Sequence, residues 1–196
     1  MSCTIVTATS TEARAVRRAA PGAQLFETGM GLSKYNGERF DEAIVCGLGG
    51  GLRSNVPSGT IVVASEVGRV DGSHVRVDAS LRDALVEGAE ELGFEPLVAP
   101  LLFSRKLITG NERARWAARG FVAVDMESGG IDAASLGVVR VILDTPEREI
   151  SPQWVNPAIA MWNPRLWGEF LFLARYAPNY AKRAASVVAA AISSPA

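Results

Sequence analysis

The chain has 196 residues, 48% of them hydrophobic, with 20 Lys and Arg against 21 Asp and Glu and a net charge of -1. That composition supports one domain with a sizeable core and leaves no basic footprint for nucleic acid. A single histidine, His74, excludes a His-rich metal site and makes a Ser-His-Asp triad a poor fit, and Cys3 and Cys46 read as buried thiols in a reducing compartment rather than as a disulfide or metal framework.

No signal peptide and no apolar run of membrane-spanning length is recognisable, so the cytoplasm is the expected location. Cys3-Thr4-Ile5-Val6-Thr7-Ala8 reads as a first strand. Thr9-Ser10-Thr11-Glu12 then reads as a turn and helix cap, with Glu12 in the first turn. That helix runs to about Ala20 and stops at Pro21-Gly22. Residues 24–27 form a second strand, followed by Thr28-Gly29-Met30-Gly31. A dinucleotide fingerprint would need a third glycine where Lys34 stands. A short connector, Leu32 to Glu42, leads to a buried strand, Ala43-Ile44-Val45-Cys46. This strand opens into Gly47-Leu48-Gly49-Gly50-Gly51-Leu52, read as a loop whose glycines let backbone approach a ligand. A tight strand-to-loop turn reads equally well there. Thr60-Ile61-Val62-Val63 resumes strand character.

Glu66 to Val70 and His74 to Val77 flank Asp71-Gly72, a hairpin signal. An amphipathic helix runs from Asp78 to Leu92 and ends at Gly93. Leu97 to Phe103 is the next strand, and Asn111 is expected to cap a helix to Arg119. Phe121-Val122-Ala123-Val124 is a short apolar strand that ends abruptly in Asp125-Met126-Glu127. Small residues (Ser128, Gly129, Gly130, Ala133, Ala134) suggest a short helix leading to the strand Val138 to Leu143, which ends in Asp144. Two parallel strands joined in that way would set Glu127 and Asp144 at one sheet edge, where open α/β sheets bind ligands. On residue types alone, solvated acids at a strand end are the better reading, and Glu12 reads better as an acid favoured by the helix dipole. After a loop to Pro152, Trp154, Met161, Trp162, Trp167, Phe170, Phe172 and Tyr176 make an aromatic stretch. Pro164 and Pro178 suit the first turns of two helices, the last running from about Asn179 to Ile192. The expected architecture is α/β: one domain, residues 1–196, a three-layer αβα sandwich around a central mixed β-sheet. Residues 153–196 supply its aromatic and alanine-rich C-terminal helices.

Val124-Asp125-Met126-Glu127-Ser128, followed by Val139-Arg140-Val141-Ile142-Leu143-Asp144, resembles the signature of the nucleoside phosphorylase and nucleosidase family. The methylthioadenosine/S-adenosylhomocysteine nucleosidases carry V-E/D-M-E-x-x-A and then V-R-x-I-S-D. Ala8 to Glu12 resembles their A-M-E-E-E, and Gly47 to Leu52 their T-G-S-A-G-G-L. The resemblance extends from Ile5 to about Ile150 and implies a phosphorylase/hydrolase-like fold that cleaves a purine N-glycosidic bond. It makes Asp144 the acid at the purine, Glu12 the base for a water nucleophile, and Arg140 the residue that fixes that water or an anion. Glu127 would bind the ribose hydroxyls and Met126 would pack on the sugar. Gly49 and Gly50 would line the substrate, and Leu107 and Ile108 would hold the base. No metal or redox cofactor is implied.

Three departures matter. Leu107 stands where a phenylalanine is usual, and Val45 and Leu48 stand where the hexameric phosphorylases place an arginine and a serine for phosphate. Water is therefore the expected nucleophile, with phosphorolysis as the alternative and a non-catalytic nucleoside-binding member as a third reading. The short chain, the loop after Asp144 and the aromatic tail most resemble the hopanoid-associated branch, whose substrate is adenosylhopane. Family members pair across their sites, so a homo-oligomer, dimer or hexamer, is expected. The expected partner is a small-molecule nucleoside, with phosphate in the alternative and no nucleic acid.

Overall fold

In a computed structural model of the chain, residues 3–155 and 162–193 are described. Among these residues eight strands form one mixed sheet: β1 (Thr4–Thr7), β2 (Gln24–Glu27), β3 (Arg39–Gly51), β4 (Ile61–Arg69), β5 (His74–Arg76), β6 (Leu97–Phe103), β7 (Ala123–Asp125) and β8 (Asp132–Asp144). Among the described residues four α-helices pack outside it: α1 (Ser10–Ala19), α2 (Ala79–Glu91), α3 (Asn111–Ala118) and α4 (Trp167–Ser193). This is the expected α/β domain, with one added feature: the sheet closes on itself. β3 pairs with β8, β8 with β4, β4 with β6, β6 with β7, and β7 with β3 again. β1 and β2 extend the sheet from β3, and β5 extends it from β4.

Strand alternation divides the apolar residues between two sides of this ring. Val45, Val62, Leu101, Ala123, Val138 and Ile142 cluster on the inner side. Ile44, Cys46, Ile61, Val63, Val139 and Val141 cluster outside, against helix residues such as Val16, Leu85 and Val188. Leu102 and Val124 pack outward toward Trp116 on α3. Burial on both sides is why these strands read as unbroken apolar runs rather than as alternating ones.

Local chemistry explains most element ends. Thr9 caps α1 in a reciprocal box with Glu12, and Asp78 caps α2 by accepting from Ser80 N at 2.9 Å. Gly93 follows α2 with φ +77°, a conformation that suits glycine. Gly110, with φ +55°, and not Asn111, stands at the N-cap of α3, and no side chain caps it.

Several expectations need correction. The glycine run is not a loop, because β3 continues through Gly51 with a register shift between Gly49 and Gly50. The small residues after Glu127 make a single 3-10 turn, Ser128–Gly130, and Ala133 and Ala134 already belong to β8. Ladder pairing from Arg39↔Asp132 onward outweighs their local helix preference. β7 is antiparallel to β3 whereas β8 is parallel to it, so the two acid-tipped strands are neither paired nor parallel. Pro178 lies inside α4 rather than at the start of a helix. There Asn179 Nδ2 donates to Arg175 O at 3.1 Å, occupying a carbonyl beside the break. Met161, of the aromatic stretch, falls outside the described residues.

Candidate active site

The ends of β3, β7 and β8 and the residues after β1 surround a cavity of about 290 Å³. Glu12, Gly49, Gly50, Leu107, Ile108, Met126, Glu127 and Asp144 all line it. Residues far apart in the chain thus share one cavity, although the strands carrying Glu127 and Asp144 run in opposite senses. Ring closure is what brings these strand ends together. Arg140 is the exception among the expected residues. It is fully buried behind the cavity wall and takes no part in the lining.

At one end the site is a cluster of acids around that arginine. Arg140 Nε donates to Asp125 Oδ2 at 2.7 Å, and Nη2 donates to Glu127 Oε2 at 3.1 Å. Ser128 Oγ donates to Asp125 Oδ1 at 2.7 Å, and Gly31 N donates to Glu127 Oε1 at 3.0 Å. Glu12 Oε2 accepts from Thr9 N and Thr9 Oγ1, both at 2.8 Å, and Oε1 accepts from Leu48 N at 2.8 Å. The helix-cap reading and the site reading of Glu12 are therefore both realised in one geometry.

The electrostatics follow from crowding. Burial opposes the Arg140 charge, but Asp125, Glu127 and Glu12 outweigh it and raise its pKa. Burial pushes the Glu127 carboxyl up to about 7, with Arg140 opposing the rise and Asp125 and Glu12 adding to it. The glycines of β3 make this packing possible. A Cβ on Gly47 would lie 2.2 Å from Glu12 Oε1 and 2.8 Å from Arg140 Nη1, and one on Gly50 would lie 3.1 Å from Asp144 Oδ1.

Asp144 stands apart from that cluster. Burial raises its pKa, and the Arg113 guanidinium opposes the rise. Arg113 Nη2 donates to Asp144 Oδ2, and Ile150 N reaches the same oxygen at 3.4 Å. Leu107, Ile108, Ile150, Trp154 and Leu173 supply apolar wall. Trp154 Nε1 and Ser151 N both donate to Glu169 Oε2, at 2.9 and 2.8 Å, which ties the segment after β8 to α4. Among the described residues no group of three or more His, Cys, Asp or Glu is placed to hold a metal ion.

Sequence reasoning gave no site role to Asp125, Arg113 or Leu173, and placed Trp154 only in the aromatic stretch. Asp125 carried a signal, since it stands one residue before Met126 in the same motif. Arg113 carried none. It is one of two arginines on a short polar helix, and only the fold turns it inward.

No family model matches the sequence, and neither does any curated protein. Solved structures do resemble it. An S-adenosylhomocysteine nucleosidase from Streptococcus pyogenes is 14% identical with a TM-score of 0.72, over 100% of this chain and 98% of that one. A 5'-methylthioadenosine/S-adenosylhomocysteine nucleosidase from S. pneumoniae is 15% identical with a TM-score of 0.70, over 98% of each chain. The futalosine hydrolase of Helicobacter pylori is 11% identical with a TM-score of 0.70, over 98% of this chain and 97% of that one. The chain has the fold that these nucleosidases and this hydrolase share.

Proposed function

We propose that the chain is a nucleosidase that hydrolyses the N-glycosidic bond of a purine nucleoside, a 5'-modified adenosine, and releases the base. One observation carries this reading: one cavity is lined both by a separate carboxyl, Asp144, held by Arg113, and by a cluster of acids grouped around Arg140. Bond cleavage needs a proton for the leaving base and stabilisation for a sugar that becomes cationic. Asp144 is held out of water, which favours the protonated form that a general acid needs. Glu127 accepts the ribose hydroxyls, Met126 packs on the sugar, and Glu12 takes a proton from the attacking water. Gly49 and Gly50 line the substrate, and Leu107 and Ile108 hold the base. Arg140 acts from behind the wall by holding Asp125 and Glu127.

Three carboxyls, Glu12, Asp125 and Glu127, surround the one guanidinium of Arg140. That surplus of negative charge favours a cationic sugar and repels a phosphate dianion, which supports water over phosphate as nucleophile. The proteins of similar fold are named for methylthioadenosine, S-adenosylhomocysteine and futalosine. The apolar wall from Ile150, Trp154 and Leu173 supports a substrate with an apolar substituent, such as adenosylhopane. Cys3 and Cys46 are free thiols, in keeping with a cytoplasmic setting. Among the described residues no helix is long and apolar enough to cross a membrane.

The test is a nucleoside panel (methylthioadenosine, S-adenosylhomocysteine, futalosine and an adenosine with a long apolar 5' group) with free base measured with and without phosphate. Base release independent of phosphate is expected. Release only with phosphate would turn the reading to a phosphorylase, and no release from any nucleoside would leave a binding protein. With an active substrate, Asp144→Asn should lower kcat by about 10² to 10⁴-fold and leave nucleoside binding nearly unchanged.

A further inference from the structure

The cavity wall holds a buried ionisable group, Arg113, to which the proposed reaction assigns no task. Arg113 is only 1% exposed, yet its head makes polar contacts in several directions. Nε donates to Ile108 O at 3.1 Å, Nη1 donates to Gly51 O at 2.7 Å, and Nη2 donates to Asp144 Oδ2. Nε also lies 3.3 Å from Glu149 Oε1. The same Glu149 oxygen accepts from Gly110 N at 2.7 Å, at the start of α3. One guanidinium therefore joins the wall at Ile108, the end of β3, Asp144, and the loop that follows Asp144. A guanidinium keeps its charge when buried. Asp144 thus touches a permanent cation whose other side is shared with a second carboxylate.

We propose that Arg113 and Glu149 form a positioning pair for Asp144: Arg113 orients its carboxyl and stabilises the charge left there, and Glu149 draws part of that charge away when the loop after β8 is seated. The inference rests on Asp144 being the acid of the proposed reaction. In that step the Asp144 O–H bond breaks and a nitrogen of the base takes the proton. The electron pair of the glycosidic C–N bond goes to the base, and Asp144 is left as a carboxylate. Arg113 stabilises that carboxylate directly. It also pulls the carboxyl toward ionisation, a pull that burial of Asp144 opposes and that Glu149, sharing the guanidinium, is placed to weaken further. Other charged groups lie nearby without pairing with Asp144, and exposed Glu147 feels the Arg113 charge only as its smallest influence. Lys106 is on the cavity wall, Arg148 lies 3.9 Å from the centre of the Phe172 ring, and Glu147 is exposed. Arg140 is bound to Asp125 and Glu127. Among the described residues only Arg113 forms an ion pair with Asp144.

The pair predicts pH shifts of opposite sign. The Asp144 carboxyl is titrated by NMR on protein labelled with 13C at aspartate carboxyls, with Asp144→Asn to assign the signal. Arg113→Met should move the midpoint up by about 1 to 3 pH units, since an opposite charge in contact lowers a carboxyl by that much. Glu149→Gln should move it down, by less. Arg113→Lys, which keeps the charge, should recover part of the shift, and it replaces Arg113→Met if that variant fails to fold. The pH profile of kcat for base release should move with each midpoint. A merely structural Arg113 would lower the melting temperature without these shifts. Unchanged midpoints, or shifts of the same sign in Arg113→Met and Glu149→Gln, would overturn the proposal. The titration needs no turnover, so opposite shifts without base release would count against the nucleosidase reading alone.

Discussion

Glu127 shares the Arg140 guanidinium with Asp125, and Glu12 adds further repulsion. Its carboxyl titrates near 7 in the folded chain against an ordinary value of 4.5. Between those values the folded chain binds more protons than the unfolded one, so stability falls as pH rises. The contribution is fully present below about 4.5 and is lost as pH passes about 7. Glu127→Gln cannot titrate and mimics the protonated acid. Denaturant unfolding should therefore show wild type losing of order 3 kcal/mol relative to Glu127→Gln between pH 4.5 and pH 8. A difference that stays constant over that range would show that Glu127 titrates normally. Since the ionised form is the better acceptor for ribose hydroxyls, nucleoside binding should tighten over the same interval. The Asp-Met-Glu motif was legible in the sequence. Its crowding around one arginine was not, because strand spacing says nothing about which side chains meet across a ring.

At the scale of elements, the clearest departure is α4, 27 residues with Pro178 in its interior. Tertiary packing outweighs the local break, since Ala181, Ala184, Ala185, Val187 and Val188 bury one stripe of this helix in the outer cluster. Pro178→Ala should restore an N–H donor and raise stability by about 2 kcal/mol, read as a higher midpoint in urea. A lower midpoint would mean that the break is needed for packing. The glycine run of β3 teaches a related lesson. Its composition reads as a loop, yet the residues lie in a ladder with β8. Their missing side chains leave room for Glu12, Arg140 and Asp144, so the run lies on the cavity wall as a strand and not as a loop.

For the whole molecule, Trp162, Trp167 and Leu171 are 89%, 62% and 67% exposed, beside the α4 segment that closes the cavity. Tryptophans left open on that scale are costly in water, and the expected homo-oligomer would cover them. Light scattering at micromolar concentration should give at least twice the mass of one chain. A strict monomer would leave this face without that explanation.

What the sequence by itself determined is the class of fold, most element positions, and most of the acidic and apolar side chains that line the cavity. Strand runs, caps and turn glycines are local signals, and Glu12, Met126, Glu127 and Asp144 sit in motifs short enough to read along the chain. Only the tertiary structure decided how the strands close. Closure depends on pairings between residues far apart, such as Ile61↔Val141 and Leu102↔Val124. It also decided that Arg140 supports the wall from behind and that Arg113 reaches Asp144. Long, flexible arginine side chains can reach many partners, and burial selects among them once the surrounding backbone is in place.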